Sequence, residues 1–415
     1  MIPGRRNDTM RTPTSPNPSR NRVPASLLGL LFLVLTAVPA PASTEVIFGT
    51  IVTVDSENGR FTIFAEMFNY VGRGEGRVEQ RGWGDRTLFM LDGDVSTAAE
   101  ALKPGRAVMY QNHGSVILVS GKSPGMDAVR KADDPANAVH RMHAHKAVPL
   151  PLKARRGGGV EEHPVDVEIV VDVVDGRVAG AVAMPSILNR PNQNIDAGRL
   201  VFADGKVTGT VSFAIAHPAV VAEKPIEATL TLTAARADKQ SDAGCISAVG
   251  GKKTTVGVTT EVLPRAADLV PGKAWMRLGV PGVYFRDHVF AVFDLTDGKA
   301  QPGGHHWYHK GKVNGSIDEN SVALAGDRLT GELRSTLTAG GGSGGERVPQ
   351  VFKIDARVLG HRYIFGTLTV TIGDKTHSGF VRGGLVPADS PITGLTKELA
   401  ALYAERFPKR KKRRE

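Results

Sequence analysis

The sequence predicts an all-β protein: a small N-terminal β-barrel, two tandem, internally repeated β-sandwich modules and a short C-terminal helix. Three observations carry this. The 415 residues include 48 Gly and 25 Pro with only 6% aromatics, a turn-rich mixture that favours short strands over long helices. Short β-branched runs alternate with Asn-Gly, Asp-Gly and Pro-Gly turns from residue 46 onwards. One stretch of the chain also repeats at an offset of 122 residues.

Residues 1–42 read as a secretory leader. Leu27–Val38 is an apolar run of 12 residues, preceded by Arg20 and Arg22 and followed by the small-x-small signal Ala40-Pro41-Ala42. Such a run is short for a membrane-spanning helix, and no second run of spanning length follows. The long stretch ahead of it leaves either Met1 or Met10 as the start. With a single Cys, Cys245, no internal disulfide can form. The expectation is an exported protein, periplasmic or extracellular, stabilised by packing and without a transmembrane segment in its mature chain.

The net charge of +10 belongs to the ends of the chain. Residues 1–42 carry +4 and residues 409–415 carry +5, which leaves +1 for 43–408. A basic folded surface that reads nucleic acid by sequence is therefore not expected. The tail run Lys409, Arg410, Lys411, Lys412, Arg413 and Arg414 has the electrostatics of a polyanion contact, with an acidic polysaccharide or envelope polyanion as the partner class.

Residues 44–121 hold five short β-rich runs. Val46–Val54 and Arg60–Phe64 flank the turn Glu57-Asn58-Gly59, and Thr87–Leu91, Ala107–Tyr110 and Val116–Val119 follow. A Gly- and Arg-rich excursion is expected over Val71–Arg86. This is the pattern of a small OB-like barrel. With its late turn Leu102-Lys103-Pro104-Gly105, it resembles small bacterial periplasmic OB-like domains, including copper-carrying ones. The Trp and Met ligand motif of the copper carriers is missing, so their function is not implied.

Residues 122–162 read as a helical segment, Ser123–His145, interrupted by Pro135 and followed by a Pro- and Gly-rich linker. Beyond it, Val165–Val211 aligned without gaps to Asp287–Leu333 gives 11 identities in 47 positions. Asp172, Asp175 and Gly176 match Asp294, Asp297 and Gly298, while Thr208 and Gly209 match Thr330 and Gly331. Asp-Gly supplies a tight turn and alternating apolar residues supply a buried face. The repeat implies β-sandwich modules over 163–282 and 283–390, as two domains or as halves of one. Residues 391–415 follow, an amphipathic helix with Leu395, Leu399 and Leu402 on one face, and then the basic tail.

The strongest local anomaly is Gly303-Gly304-His305-His306-Trp307-Tyr308-His309, whose last six residues the gap-free alignment sets against Val182–Ile187 of the first copy. On an extended segment His305, Trp307 and His309 share one face and His306 and Tyr308 the other. Three readings follow: a surface loop; a Zn or Cu site of His305, His309 and His288; or a ligand site in which Trp307 and Tyr308 stack and His305, His306, His309 and Asp318 hydrogen-bond. A second cluster, His140, His143 and His145, lacks the Glu of a metalloprotease helix and reads as a solvated segment. No nucleophile elbow, phosphate loop or dinucleotide fingerprint has the required spacing.

The functional expectation is a non-catalytic, exported cell-envelope or extracellular binding protein without a cofactor, in which an acidic glycan is the expected partner. The alternatives are a secreted metal-dependent or sugar-acting enzyme using His306, Tyr308 and a nearby acid, and a periplasmic metal-binding protein.

Overall fold

Alternation of apolar and polar residues builds nearly every element of the chain. The computed structural model describes residues 46–68, 77–111, 114–121, 134–152, 159–187, 190–191, 199–215, 226–233, 242–248, 252–280, 282–284, 288–307, 313–338 and 347–408. All belong to the unit Thr44–Glu415. Residues 1–42, read above as a leader, and the basic tail lie outside the described residues.

The N-terminal barrel comprises β1 (Val46–Asp55), β2 (Arg60–Phe68), β3 (Arg77–Gly82), β4 (Leu88–Leu91), β5 (Asp94–Ser96), α1 (Ala98–Ala101), β6 (Ala107–Gln111) and β7 (Val116–Val119). The sheet order is β3-β2-β1-β6-β7-β4-β5, and β4 pairs with β7 in parallel. That parallel pairing between the third run and the last one gives the OB-like course. The expected excursion at 71–86 contains a strand, because β3 alternates and zips against β2 from Arg60↔Gly82 to Ala65↔Arg77.

The first repeat module comprises β8 (Ala138–Leu152), β9 (Gly159–Val174), β10 (Arg177–Ile187), β11 (Arg190–Pro191), β12 (Leu200–Ala203), β13 (Lys206–Ile215), β14 (Ile226–Thr233), β15 (Asp242–Ala248) and β16 (Lys252–Pro264). Their order, β11-β10-β9-β8-β16-β15-β14-β13-β12, joins the last long strand back to the first. The expected helix and linker of 122–162 are corrected here. Residues 122–133 and 153–158 lie outside the described residues, and the others hold a 3-10 turn at Pro135–Asn137, β8 and the start of β9. Val139, Met142 and Ala144 are buried while His143 and His145 are exposed, and β16 and β9 flank the strand on both sides. Beyond Ala144 β9 alone pairs with it among the described residues, and such an edge tolerates Pro149 and Pro151.

The second module comprises β17 (Lys273–Gly279), β18 (His288–Thr296), β19 (Lys299–Ala300), β20 (His305–Trp307), β21 (Val313–Asn320), β22 (Ala323–Ala325), β23 (Arg328–Thr338), β24 (Arg347–Leu359), β25 (Tyr363–Ile372) and β26 (Lys375–Val386). It begins ten residues earlier than the sequence repeat indicates, since β17 pairs with both β26 and β18. Those two ladders close an eight-stranded barrel, β17-β26-β25-β24-β23-β21-β20-β18.

The repeat has a physical basis in shared backbone devices. Asp175-Gly176 and Asp297-Gly298 take matching left-handed φ values of 48° and 70°, and 49° and 73°. Gly209 and Gly331 sit at φ 134° and 143°. A Cβ there would come within 2.1 Å of the Arg199 carbonyl oxygen and 2.5 Å of the Ser321 carbonyl oxygen, so only glycine fits the close approach.

The N-terminal barrel packs on the second module. Val46, Phe48, Met67 and Met109 share a core with Trp275, Phe290, Val292 and Trp307. The C-terminal helix, α2 (Lys397–Arg406), lays Leu399 and Leu402 over the same core, with Leu395 just ahead of it. Thr396 caps it by accepting from the Leu399 amide at 3.2 Å. The first module meets the second through Val139, Val170, Val182 and Met184 against Leu359 and Phe365. Beside this contact lies the buried carboxylate of Glu168, which accepts from Arg141 Nε at 2.7 Å and pairs with Arg382 of the second module. Burial alone would push this carboxyl up; Arg382 and Arg141 hold it down, at about 2.

Candidate functional site

Strand alternation splits the histidine cluster. Opposite β18, Val292 faces His305, Ala291 faces His306 and Phe290 faces Trp307. His305 and Trp307 therefore lie on the outer face of the second barrel, and His306 on the inner one. Trp307 is fully buried and stacks on Phe290 at 5.6 Å between ring centroids. It forms part of the core shared with the N-terminal barrel. His288 is also buried, edge-on to Phe290 at 5.1 Å. Asp318 is exposed and accepts from Ser316 Oγ at 3.2 Å and Thr336 Oγ1 at 3.3 Å. Tyr308, His309 and the tail Lys409–Arg414 lie outside the described residues. Among the described residues no three His, Cys, Asp or Glu side chains gather into a group able to hold a metal ion.

The other cluster is also split by its strand. His143 and His145 share the outer face of β8, their rings 6.5 Å apart, with His145 Nδ1 at 2.5 Å and His143 Nε2 at 3.3 Å from one oxygen of Asp166. His140 is buried, its Nε2 2.8 Å from the Pro135 carbonyl oxygen.

His306 is the unusual residue. It is fully buried, and neither ring nitrogen has a hydrogen-bond partner. Its ring stands edge-on to Phe352 at 5.4 Å. Burial, with a smaller contribution from His305, pushes its pKa down to about 3, so the imidazole is neutral at physiological pH and offers one N–H and one lone pair. Phe352 also stacks on Tyr284 at 6.2 Å, and the Tyr284 hydroxyl donates to Gln350 Oε1. Gln350 is buried, and its Nε2 has no partner. Across β23 and β24 it stands opposite Ser335, whose hydroxyl donates to the Ser316 carbonyl oxygen at 2.6 Å.

The first module answers His306, Ser335 and Gln350 with apolar side chains. Ile169, the counterpart of Ala291, pairs with Ala183 where Ala291 pairs with His306. The gap-free alignment is therefore one residue out of step here: the first hairpin takes in one extra residue at the bulge between Val178 and Gly180, whereas the second takes in two between Ala300 and His305. The Ser335↔Gln350 pair has Phe213↔Ala228 as its counterpart. Ala183, Phe213 and Ala228 are all buried in an apolar core. At these three positions the first module is apolar, while its inner histidine, His140, lies against Phe202 and has the Pro135 carbonyl as partner; the second carries His306, Gln350, Ser335 and Tyr284.

Sequence reasoning singled out His306 but missed Tyr284, Gln350 and Ser335. The repeat itself held the missing signal: the aligned window ends at Val211 and Leu333, two residues short of Phe213 and Ser335.

No family model matches the chain, and no curated protein matches it. Among solved structures, kievitone hydratase from Nectria haematococca is similar over 63% of this chain and 93% of its own, at 9% identity and a TM-score of 0.21. A likeness of that size transfers no function.

Proposed function

We propose that the protein is an exported, non-catalytic binding protein whose second barrel takes a small uncharged ligand at His306, Gln350 and Tyr284. One observation carries the reading: the first module has Ala183 and Ala228 at the matching positions and gives its inner His140 a backbone carbonyl partner, yet the second copy buries His306 and Gln350 with hydrogen-bonding atoms unpartnered. Each such atom costs about 1–3 kcal/mol, which a ligand bearing both a donor and an acceptor would offset. The rings of Phe352 and Tyr284 offer apolar faces to its body. The described inner face holds no charged side chain, and this favours a neutral molecule over an ion. The leader-like segment 1–42 supports export, and the basic run Lys409–Arg414 would hold the protein to an acidic polysaccharide in a salt-dependent way.

The test is titration of the full-length chain with 2-naphthol, an uncharged aromatic donor and acceptor, followed by ligand fluorescence. His306→Ala and Gln350→Leu should each weaken binding by about tenfold, the worth of one or two hydrogen bonds in a dry site. Affinity unchanged in both variants would overturn the barrel site, and His306-dependent turnover of the probe would replace the non-catalytic reading with an enzymatic one.

A further inference from the structure

A cavity lies where β4 and β7 of the N-terminal barrel, the start of β17 and the segment 389–393 ahead of α2 come together. Its volume is about 550 Å³, within the range of small-molecule sites. Met90, Leu118 and Ile392 give it an apolar wall, and Lys273, Asp389 and Ser390 a polar end.

The polar end is built from the backbone outward. Lys273 opens β17 between Val386 and Asp294 on its two neighbouring strands. Its Nζ donates to the Ser390 carbonyl oxygen at 2.7 Å, which uses one of three ammonium donors. Desolvation lowers the Lys273 pKa against the opposing pull of Asp294 and Asp389. Ser390 is 4% exposed, and its Oγ has no partner. A buried hydroxyl without a partner costs free energy that a ligand oxygen would recover.

Charge narrows the ligand further. One ammonium faces the carboxylates of Asp389 and Asp294, and Asp92 also lines the cavity. An anion would meet more negative than positive charge, so the chemistry that fits is an uncharged oxygen on an apolar body.

We propose that this cleft is a second ligand site that binds an uncharged amphipathic alcohol or ketone, its oxygen held by Lys273 and Ser390 and its apolar body against Met90, Leu118 and Ile392. The site is independent of the interior of the second barrel and stands or falls separately from it.

The experiment uses the full-length chain and a decanol analogue carrying a photoactivatable diazirine, with 1-decanol as competitor and decanoate as the charged control. Irradiation should label peptides containing Met90, Leu118 or Ile392, and 1-decanol should suppress the label at least tenfold more effectively than decanoate. Lys273→Met removes the donor and Thr393→Trp fills the cleft; each should weaken 1-decanol binding at least tenfold, while His306→Ala leaves it unchanged. Label confined to the barrel interior, scattered label, or full binding by Thr393→Trp would overturn the site. Decanoate binding as tightly as 1-decanol would overturn the ligand class. Should Lys273→Met fail to fold, the map of labelled peptides and the Thr393→Trp variant still decide the question.

Discussion

The two repeat modules use one backbone plan and enclose different chemistry. Both turn at Asp-Gly, and both bring strands into close approach at a glycine with φ near 140°. They part at the side chains, on the inside and on the outside. Inside, Ala183, Phe213 and Ala228 of the first module stand where the second has His306, Ser335 and Gln350. Outside, Glu168 of the first occupies the position of Phe290 in the second. Phe290 joins an apolar core with the N-terminal barrel, whereas Glu168 reaches Arg382 through a buried ion pair. A repeated backbone is thus free to differ wherever the turns and close approaches do not constrain it.

The sharpest way to break the comparison is to move the polar group across it. Ala183→His places an imidazole in a core with no partner and no spare room, and both overpacking and an unsatisfied polar group are costly. The expected loss is about 3–5 kcal/mol, read by chemical denaturation. A loss below about 1 kcal/mol would mean that the first module also has space and partners for a polar group at this position, and the contrast between the two would lapse.

Next in size is the outer-face difference. The Glu168 carboxyl is held at about 2 against an ordinary value of 4.5. Its folded value is the lower one, so the carboxylate contributes stability above about pH 4.5, and the contribution is lost as pH falls from there towards 2. Linkage puts it at about 3 kcal/mol. Glu168→Gln should cost a similar amount at pH 7 by leaving Arg141 and Arg382 without their carboxylate, and should flatten the acid limb of the stability curve. An unchanged acid limb would show that Arg382 is solvated rather than clamped.

A smaller effect separates His306 from an ordinary core residue. Its pKa is pushed from 6.5 to about 3. Protonation therefore favours the unfolded chain, and stability present above pH 6.5 is lost as pH falls towards 3, with about 2 kcal/mol gone by pH 5. His306→Leu removes a buried polar group at similar volume, and should match or exceed the parent at pH 7 and lose the slope between pH 6.5 and 5. If the slope persists in the variant, another group titrates there and His306 is already hydrogen-bonded in solution.

How much of this was legible in the sequence follows from the range of each interaction. The Asp-Gly turns, the alternating strands, the OB-like order of the first domain and the Leu395/Leu399/Leu402 stripe are local patterns, and each reads directly from neighbours in the chain. The identity of β8 as a strand was not legible, because the alternation of Met142 and Ala144 with His143 and His145 is short and is broken by His140 and Lys146, and the pairing that decides it comes from Val258–Pro264 more than a hundred residues away. Closure of the second barrel through β17 and β18 is another long-range event, carried by backbone hydrogen bonds that any side chain permits. The candidate site was half legible. His306 stood out by composition, whereas Gln350 and Ser335 are ordinary strand residues until the fold turns them inward against Phe352.

The smallest expected effect tests what the two copies share. Asp175 and Asp297 hold φ values of 48° and 49°, a left-handed conformation that Asp adopts at modest cost and Gly at almost none. Replacing either with Gly relieves that cost and adds back conformational freedom in the unfolded chain. The two contributions oppose each other, leaving a net change within about 0.5 kcal/mol for Asp175→Gly and for Asp297→Gly alike. Thermal melts of the two variants measured side by side are the check, and the quantity of interest is their difference. The surroundings of the turns are not identical: the Asp175 amide donates to Asn137 Oδ1 at 2.8 Å, while a Cβ on Gly298 would come within 2.9 Å of the Leu324 carbonyl oxygen. Both contacts involve backbone that the substitution leaves in place, so they should not separate the variants. A difference above about 1 kcal/mol would assign one Asp side chain a role beyond the turn, and would place the divergence of the modules in their backbone plan as well as in what they enclose.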